Sequence, residues 1–221
     1  MSHRALLEAI RTAQDLGVQQ GPRFLSTFAT ALSEIEQGRK ASHWIWYVWP
    51  SLLAVRPNVQ LKQFLLPDLS ACTEYLRDPV LRERLLTISR VATAHLQRGV
   101  SSQALFGSQH KYDAPKFHET MTAFALSARI ATEPVVEEVC IAGALAVAPK
   151  SGLHEPTMRI FLDGGTEAEI LAARSLTEAC GMGPAPGKMA PPPSPLSAEE
   201  AQEWAELQRI AGAQKKQARE T

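Results

Sequence analysis

The sequence is poor in cysteine and has no excess of charge of either sign. Its three cysteines, Cys72, Cys140 and Cys180, are odd in number and far apart. This spacing argues against a disulfide framework and a structural zinc site, and it is typical of a reducing compartment. Lysine plus arginine equal aspartate plus glutamate, 23 against 23. The chain therefore has no net positive charge that would attract nucleic acid or an anionic membrane.

The chain also lacks the apolar segments of exported and membrane proteins. No apolar run approaches the roughly 20 residues that a membrane-spanning helix needs, and residues 1–8 lack the apolar core of a signal peptide. The 221 residues are 45% hydrophobic and 21% charged, which is ordinary for a globular protein. The composition predicts a soluble, cytoplasmic protein that can bury one sizeable core.

Motifs of known chemistry are scarce as well. No histidines and carboxylates show the spacing of a helical metal site, so we predict neither a metal nor a cofactor. Gly164-Gly165 and residues 181–183 lack the preceding strand and following helix of a phosphate-binding loop. No serine or cysteine stands in a nucleophile elbow. The sequence names no reaction, and it leaves open whether the protein is an enzyme.

What the chain does contain is helical periodicity, which predicts a mainly α, single compact multi-helix domain. Apolar residues at helical spacing predict helices over 3–16 and from 22 to about 37, and around residues 117–128. Start signals precede several others: Asp68, Asp78-Pro79, Ser101, Thr132-Glu133-Pro134 and the Thr166/Glu169 capping box. A short helix is predicted from His154 to Leu162. Residues 163–166 are predicted to form a turn.

The composition changes after Gly181. We divide the chain into an N-terminal helix over 1–21, a helical domain over 22–180, a Pro/Gly-rich linker over 181–196 and a polar helix over 197–221. The last helix has a thin apolar stripe of Trp204, Leu207 and Ile210. It is either mobile or docked through Trp204, and we expect any protein partner to bind there.

Aromatic residues make up only 6% of the chain but are concentrated in one segment. Trp44, Trp46 and Trp49 stand within six positions, and Lys40 and His43 precede them. Such large rings form either the centre of a core or the wall of a pocket. Periodicity cannot decide between helix and strand for residues 43–49. The helical flanks favour a short helix, capped by Ser42 and stopped by Pro50.

Four blocks of the chain can be compared with known families. They are Gly38-Arg39-Lys40 with Ser42-His43-Trp44-x-Trp46 and Pro50, then Leu69 to Leu85 with Glu74-Tyr75-Leu76-x-Asp78-Pro79-Val80-Leu81, then Phe106-Gly107-Ser108, and last Asp113-x-x-Lys116 with Met121-Thr122-x-Phe124. In this order and spacing they resemble the domain-of-unknown-function family numbered 1810. The resemblance covers roughly residues 22–162. It implies a compact, mainly helical domain and brings no established activity with it.

The sequence departs from this family's pattern at several positions. Ser51 replaces the usual glutamine, and Ala54-Val55-Arg56 replace a Gly-Leu-Gly turn. Glu119-Thr120 replace a Ser-Ser pair, and Ala123 replaces a leucine. If the usual residues line a pocket in relatives, that pocket is altered here.

The aromatic segment supplies the first candidate site residues. His43 titrates near neutrality and could act as a general acid or base. The commoner alternative is a buried histidine that satisfies its hydrogen bonds structurally. Trp44 and Trp46 could stack on a base or a sugar ring, but tryptophans of this kind are more often core residues.

The remaining candidates are polar residues that could bind a ligand. Lys40 and Lys116 could hold a phosphate, whereas an ion pair between Lys116 and Asp113 is the simpler alternative. Thr122 could present its hydroxyl to a ligand or bond to a helical carbonyl. We expect Lys116 to lie near His43 and Trp44, because two polar blocks in one small domain most simply share a site.

Two functional hypotheses remain. The first is a small-molecule pocket for a nucleotide or sugar phosphate, such as an ADP-ribose-like ligand. The second is a non-catalytic interaction module with the tryptophan-rich stretch as its core. Convergence of His43, Lys40, Lys116 and Thr122 on one concave site would favour the pocket.

Overall fold

The computed structural model describes residues 2–59, 61–107 and 112–181. Within these ranges it contains ten α-helices, one 3-10 turn and one two-stranded hairpin, which confirms the mainly α fold. None of the described helices is long and apolar enough to cross a membrane. The predicted linker beyond Gly181 and the predicted helix over 197–221 lie outside the described residues.

The N-terminal part contains a hairpin that the periodicity did not predict. Helix α1 (His3–Leu16) is followed by strands β1 (Val18–Gln20) and β2 (Arg23–Leu25), which pair antiparallel. Helix α2 (Phe28–Glu36) begins only after Thr27, whose hydroxyl accepts the amide of Thr30. The predicted helix start at residue 22 was therefore wrong. Apolar residues at helical spacing extend back to Phe24, but the turn at Gly21 and the cap at Thr27 set the boundary.

The middle of the chain follows its capping signals. It comprises α3 (Ile45–Val48), a 3-10 turn (Lys62–Phe64), α4 (Leu69–Arg77), α5 (Pro79–Gln97) and α6 (Ser102–Phe106). The side chains of Asp68, Asp78 and Ser101 accept backbone amides at the starts of α4, α5 and α6. Residues 45–48 are helical, but Trp44, not Ser42, occupies the cap position and makes no side-chain capping bond.

The C-terminal part consists of four helices. They are α7 (Asp113–Ala131), α8 (Pro134–Val147), α9 (Glu155–Gly164) and α10 (Glu167–Ala179). The capping box of Thr166 and Glu169 is present at the start of α10, as the sequence predicted. Helix α9 continues two residues past Leu162, so the predicted turn is shorter.

Helix α7 lies at the centre of the molecule. Fourteen of its 19 residues are buried, and it packs against α4, α8, α9 and α10. Gly143 lets α8 approach closely, because a Cβ there would lie 3.0 Å from the sulfur of Met121. A helix enclosed on several sides has no solvent for its polar side chains, so each of them needs a partner inside the protein.

The aromatic segment packs directly against α7. Trp49 is fully buried, and its ring centroid lies 4.7 Å from that of Phe117. Its indole N–H donates to the hydroxyl of Ser89 at 3.0 Å. The Thr120 hydroxyl lies 3.1 Å from the carbonyl oxygen of Trp49 and 3.3 Å from that of Pro50. The end of the segment is thus fixed to the middle of α7.

Candidate functional site

Trp44 forms the inner side of the aromatic segment. Its ring is fully buried, and its indole N–H donates to Glu34 Oε2 at 2.8 Å. The amides of Ala41 and Ser42 donate to the same oxygen. Burial acts to raise the pKa of Glu34, but these hydrogen bonds outweigh it and leave the pKa lowered. Trp44 is therefore a core residue whose polar atom is satisfied within the protein.

Lys40 points into the protein from the turn after α2. Gly38 makes this turn with a φ of 75°, a conformation that favours glycine. The Lys40 amide donates to the carbonyl of Leu105 at 2.7 Å, which ties the turn to α6. The side chain is 1% exposed, and its ammonium lies 2.7 Å from Asp113 Oδ2 and 5.2 Å from the Trp44 ring centroid.

Lys116 covers the outer tryptophan of the segment. Its ammonium lies 3.3 Å from the ring centroid of Trp46, which is half-buried, and 3.6 Å from Asp113 Oδ1. The pKa of Lys116 is lowered to about 8, chiefly by burial; Asp113 opposes this shift, and the positive charges of Arg56 and Lys40 add to it. An ammonium over an aromatic face is attracted by the ring quadrupole, which offsets part of its desolvation.

The three charged groups form a cluster with more positive than negative charge. We call Lys40, Asp113 and Lys116 the charged cluster. Asp113 stands at the first turn of α7, where the helix dipole favours a carboxylate. It is shared by two ammonium groups, and its Oδ2 is held by the ion pair with Lys40 without a well-directed hydrogen bond. The cluster therefore carries one uncompensated positive charge when both lysines are protonated.

An ion pair lies one helical turn further along α7. Arg56 Nε and one terminal nitrogen donate to the carboxylate of Glu119 at 2.7–3.2 Å. Glu119 is 3% exposed, so this is a bidentate, nearly buried pair. Both residues stand where the sequence departs from the pattern of the family that it resembles. The pair is neutral as a whole and leaves the charge of the neighbouring cluster unchanged.

Two histidines and Thr122 lie beyond this pair. His154 Nε2 lies 4.0 Å from Glu119 Oε1, and the His154 amide donates to the Thr122 hydroxyl at 2.9 Å. The pKa of His154 is lowered to about 3, chiefly by burial, and the neighbouring His118 and Arg56 add to the shift. His118 donates to the carbonyl of Gly152 at 2.7 Å. Thr122 is fully buried and joins α7 to the start of α9, away from the charged cluster.

The predicted site residues are thus only partly brought together. Lys40, Asp113 and Lys116 converge beside Trp46. The buried ring of Trp44 lies next to the Lys40 ammonium. Thr122 lies apart from them, beside His154. His43 is exposed, which differs from the buried histidine that we considered the commoner outcome, and its carbonyl accepts the amide of Ser26.

Sequence reasoning missed Glu34, Arg56, Glu119 and His154. Arg56 and Glu119 are separated by 63 positions, so no local spacing connects them. The available signal was that both positions replace uncharged family residues with charges of opposite sign. Among the described residues, no group of three or more His, Cys, Asp or Glu could hold a metal ion.

Comparisons with known proteins agree with the architecture. A family model described as "Protein of unknown function (DUF1810)" matches residues 18–141, more than half of the chain. The structure is similar to the crystal structure of the conserved hypothetical protein Rv1873 from Mycobacterium tuberculosis, with a TM-score of 0.51 and 20% sequence identity. That match covers 72% of this chain and 94% of the other, and it shows a shared fold alone. No curated protein matches the chain.

Proposed function

Since the chain belongs to the DUF1810 family, whose function is unknown, we infer a role from the site alone, and we propose that the protein binds a small anionic ligand beside Trp46. One observation supports this proposal above the others: two nearly buried ammonium groups, Lys40 and Lys116, share the single carboxylate of Asp113. A buried surplus charge is costly, and a bound anion would compensate it.

The proposed ligand class is a nucleotide or a sugar phosphate. A phosphate would interact with Lys116, while the half-buried ring of Trp46, one face of which carries the Lys116 ammonium, would offer its edge for contact with a base or sugar. ADP-ribose-like ligands combine phosphates, sugars and a planar base, and we take them as the first members of this class to test. Asp113 would hold both lysines in position.

We propose no reaction from the charged cluster by itself. His43 is the candidate acid or base on the same segment, because it is exposed and directly precedes Trp44. The hydroxyl of Thr122 already accepts the His154 amide, so we assign it a role in positioning α9 and not in contacting a ligand.

The test is a thermal-shift screen of the full chain against ADP-ribose, ADP, glucose 6-phosphate and inorganic phosphate. A ligand at a hundred times its Kd stabilises by about 2.7 kcal/mol, which corresponds to a Tm increase of roughly 5–10 °C. We expect Lys116→Met to abolish the increase. Lys62→Met removes the same charge from an exposed position of the 3-10 turn and should retain it. No shift with any of these ligands, or an equal shift in Lys116→Met, would contradict the proposal.

A second candidate is the non-catalytic interaction module. The full burial of Trp44, Tyr47 and Trp49 favours it, because most of the aromatic segment then serves packing. In this case the charged cluster is structural. Lys116→Met would change the free energy of unfolding, but none of the four ligands would change the Tm of either protein.

A further inference from the structure

Helix α8 is apolar around nearly its whole circumference. Its 14 residues contain only two charges, Glu137 and Glu138. One face, including Val136, Cys140 and Ala144, is buried against the core. A helix that is apolar all round is usually covered all round. The outer face of α8, however, is covered only in part by the described residues.

This outer face lines a groove of about 680 Å³. Its apolar wall is formed by Ile141, Ala142, Leu145 and Ala146, all of which are partly exposed. Gln97 at the end of α5 closes one side. Val135 is 47% exposed near the start of the same helix. The lining runs along α8 from Pro134 to Ala146, which is about 20 Å of helix, so the groove has the length and composition for one amphipathic helix.

The described chain ends next to this groove. Arg129, in the last turn of α7, donates to the Ser175 hydroxyl on α10 and to Glu137 on α8. Cys180 is packed against the core, and the charges of Arg129 and Glu137 both act on its thiol. Residue 181 therefore lies close to Glu137, which lines the groove. Forty further residues of the chain follow that point.

We propose that residues 197–211 of this chain dock in the α8 groove, with Trp204, Leu207 and Ala211 as the residues that enter it. These three positions are spaced i, i+3 and i+7, the spacing of an amphipathic helix in a groove. Residues 182–196 provide a 15-residue connection. Fully extended it spans about 50 Å, whereas a 14-residue helix is only about 21 Å long. The connection can therefore reach either end of the groove.

Charge gives the docked segment a direction. Helices α5 and α8 pack along each other, and Arg82 near the start of α5 pairs with Glu133 just before α8, so the two helices run parallel. The ends of both helices then lie together, and exposed Arg98 and Lys150 follow them. The acidic residues of 199–206 match that end of the groove. The basic residues of 209–219 match the end that carries the exposed carboxylate of Glu138, since Glu137 is already paired with Arg129. The docked segment runs antiparallel to α8.

The experiment uses the full chain labelled with 5-fluorotryptophan and observed by 19F NMR. The chain has four tryptophans, and Trp204→Phe identifies the resonance of Trp204. We expect this resonance to differ from that of a synthetic peptide of residues 197–221. Ala142→Glu places a charge in the groove and should return the resonance to the peptide position.

Leu16→Glu is the matched control. It places the same charge at an apolar position on α1 that is 70% exposed, and it should leave the Trp204 resonance unchanged. The resonances of Trp44, Trp46 and Trp49 report whether each variant is folded. If Ala142→Glu unfolds the protein, Leu145→Ser is the milder groove variant and should give the same return.

Three results would overturn the proposal. The first is a Trp204 resonance in the unmodified chain that coincides with that of the peptide. The second is a displaced resonance that folded Ala142→Glu and Leu145→Ser both leave unchanged. The third is a displacement that disappears on dilution, because the groove would then be filled by the segment of a second copy and not by that of the same chain.

Discussion

The inner and outer sides of the aromatic segment place tryptophans two residues apart in different environments. On the inner side, Trp44 and Trp49 are fully buried and donate their indole N–H groups to Glu34 and Ser89. On the outer side, the face of Trp46 carries the ammonium of Lys116. The aromatic content alone does not distinguish a core from a binding surface. What distinguishes them here is burial: the rings of Trp44 and Trp49 are fully enclosed by the protein, whereas the half-buried ring of Trp46 keeps part of its surface accessible to a ligand.

The largest expected effect separates the two sides by stability. Trp44→Ala should lower the free energy of unfolding by about 3–5 kcal/mol, because it empties a buried site. Trp46→Ala should cost only about 1–2 kcal/mol, for partial burial and a lost cation–π contact. Urea unfolding of the two variants measures both values. Equal losses would show that the two sides do not differ.

Trp44→Phe is the control for the first variant. It keeps most of the ring volume but removes the donor to Glu34. Its free energy of unfolding should lie between those of the wild type and Trp44→Ala.

The second prediction concerns the carboxylate of the outer side. Asp113→Asn should destabilise the protein by about 3 kcal/mol, since it leaves two buried ammonium groups without their shared counter-charge. Adding Lys40→Met should recover part of this loss, because one of the two charges is then removed. Urea unfolding of the single and double variants tests the coupling. Strictly additive losses would mean that Asp113 and Lys40 do not interact.

The third prediction is a pH dependence. The pKa of Lys116 is lowered from 10.5 to about 8 in the folded protein. Between these values the unfolded chain binds the proton and the folded chain does not, so stability rises with pH. Relative to Lys116→Met, the wild type should gain up to about 3 kcal/mol between pH 8 and 10.5.

The comparison with Lys116→Met is needed because buried tyrosines and cysteines titrate in the same range. Burial raises the pKa of Tyr47 and Cys72, which lowers the stability of both proteins as the pH rises. Guanidinium unfolding at several pH values gives the difference between the two proteins. If the difference in the free energy of unfolding between the two proteins stayed constant from pH 7 to 10.5, Lys116 would be solvent-exposed in the folded protein.

The smallest expected effect is the pH dependence of stability that arises from His154, which lies beside Thr122 of α7. The pKa of His154 is lowered to about 3, so as the pH falls below 6.5 the unfolded chain takes up a proton that the folded chain does not. Stability should fall by about 2 kcal/mol between pH 7 and 5. His154→Asn keeps a residue suited to the cap of α9 and should remove the part of the dependence that comes from His154. Burial also lowers the pKa of His118, and that contribution is common to both proteins. Thermal unfolding at both pH values measures it; identical pH profiles would count against a buried neutral imidazole.

Helix starts were predictable from the sequence because they depend on neighbouring residues. Asp68, Asp78 and Thr166 each accept an amide two or three residues away. The hairpin over residues 18–25 was not predicted, since its two short strands stabilise one another and neither shows a pattern of its own. The apolar spacing of Phe24 and Phe28 instead suggested a longer helix.

The candidate site was predictable in its residue types more than in its contacts. The spacing of Asp113 and Lys116 suggested their ion pair, because residues three apart on a helix are neighbours. Nothing local indicated that Lys40 shares the same carboxylate, or that Arg56 pairs with Glu119. These contacts exist only after the segment before α3 and the loop after it have packed against α7.

The bond from Thr120 to the carbonyl of Trp49 spans 71 positions and has a consequence for synthesis. At about 5–20 residues per second, a ribosome needs roughly 4–14 s to translate that interval. During this time the emerging aromatic segment has neither Phe117 nor Thr120 to pack against, and its rings are available to chaperones or to other nascent chains. Trp44, Trp46 and Trp49 can take up their native packing only after α7 has been synthesised.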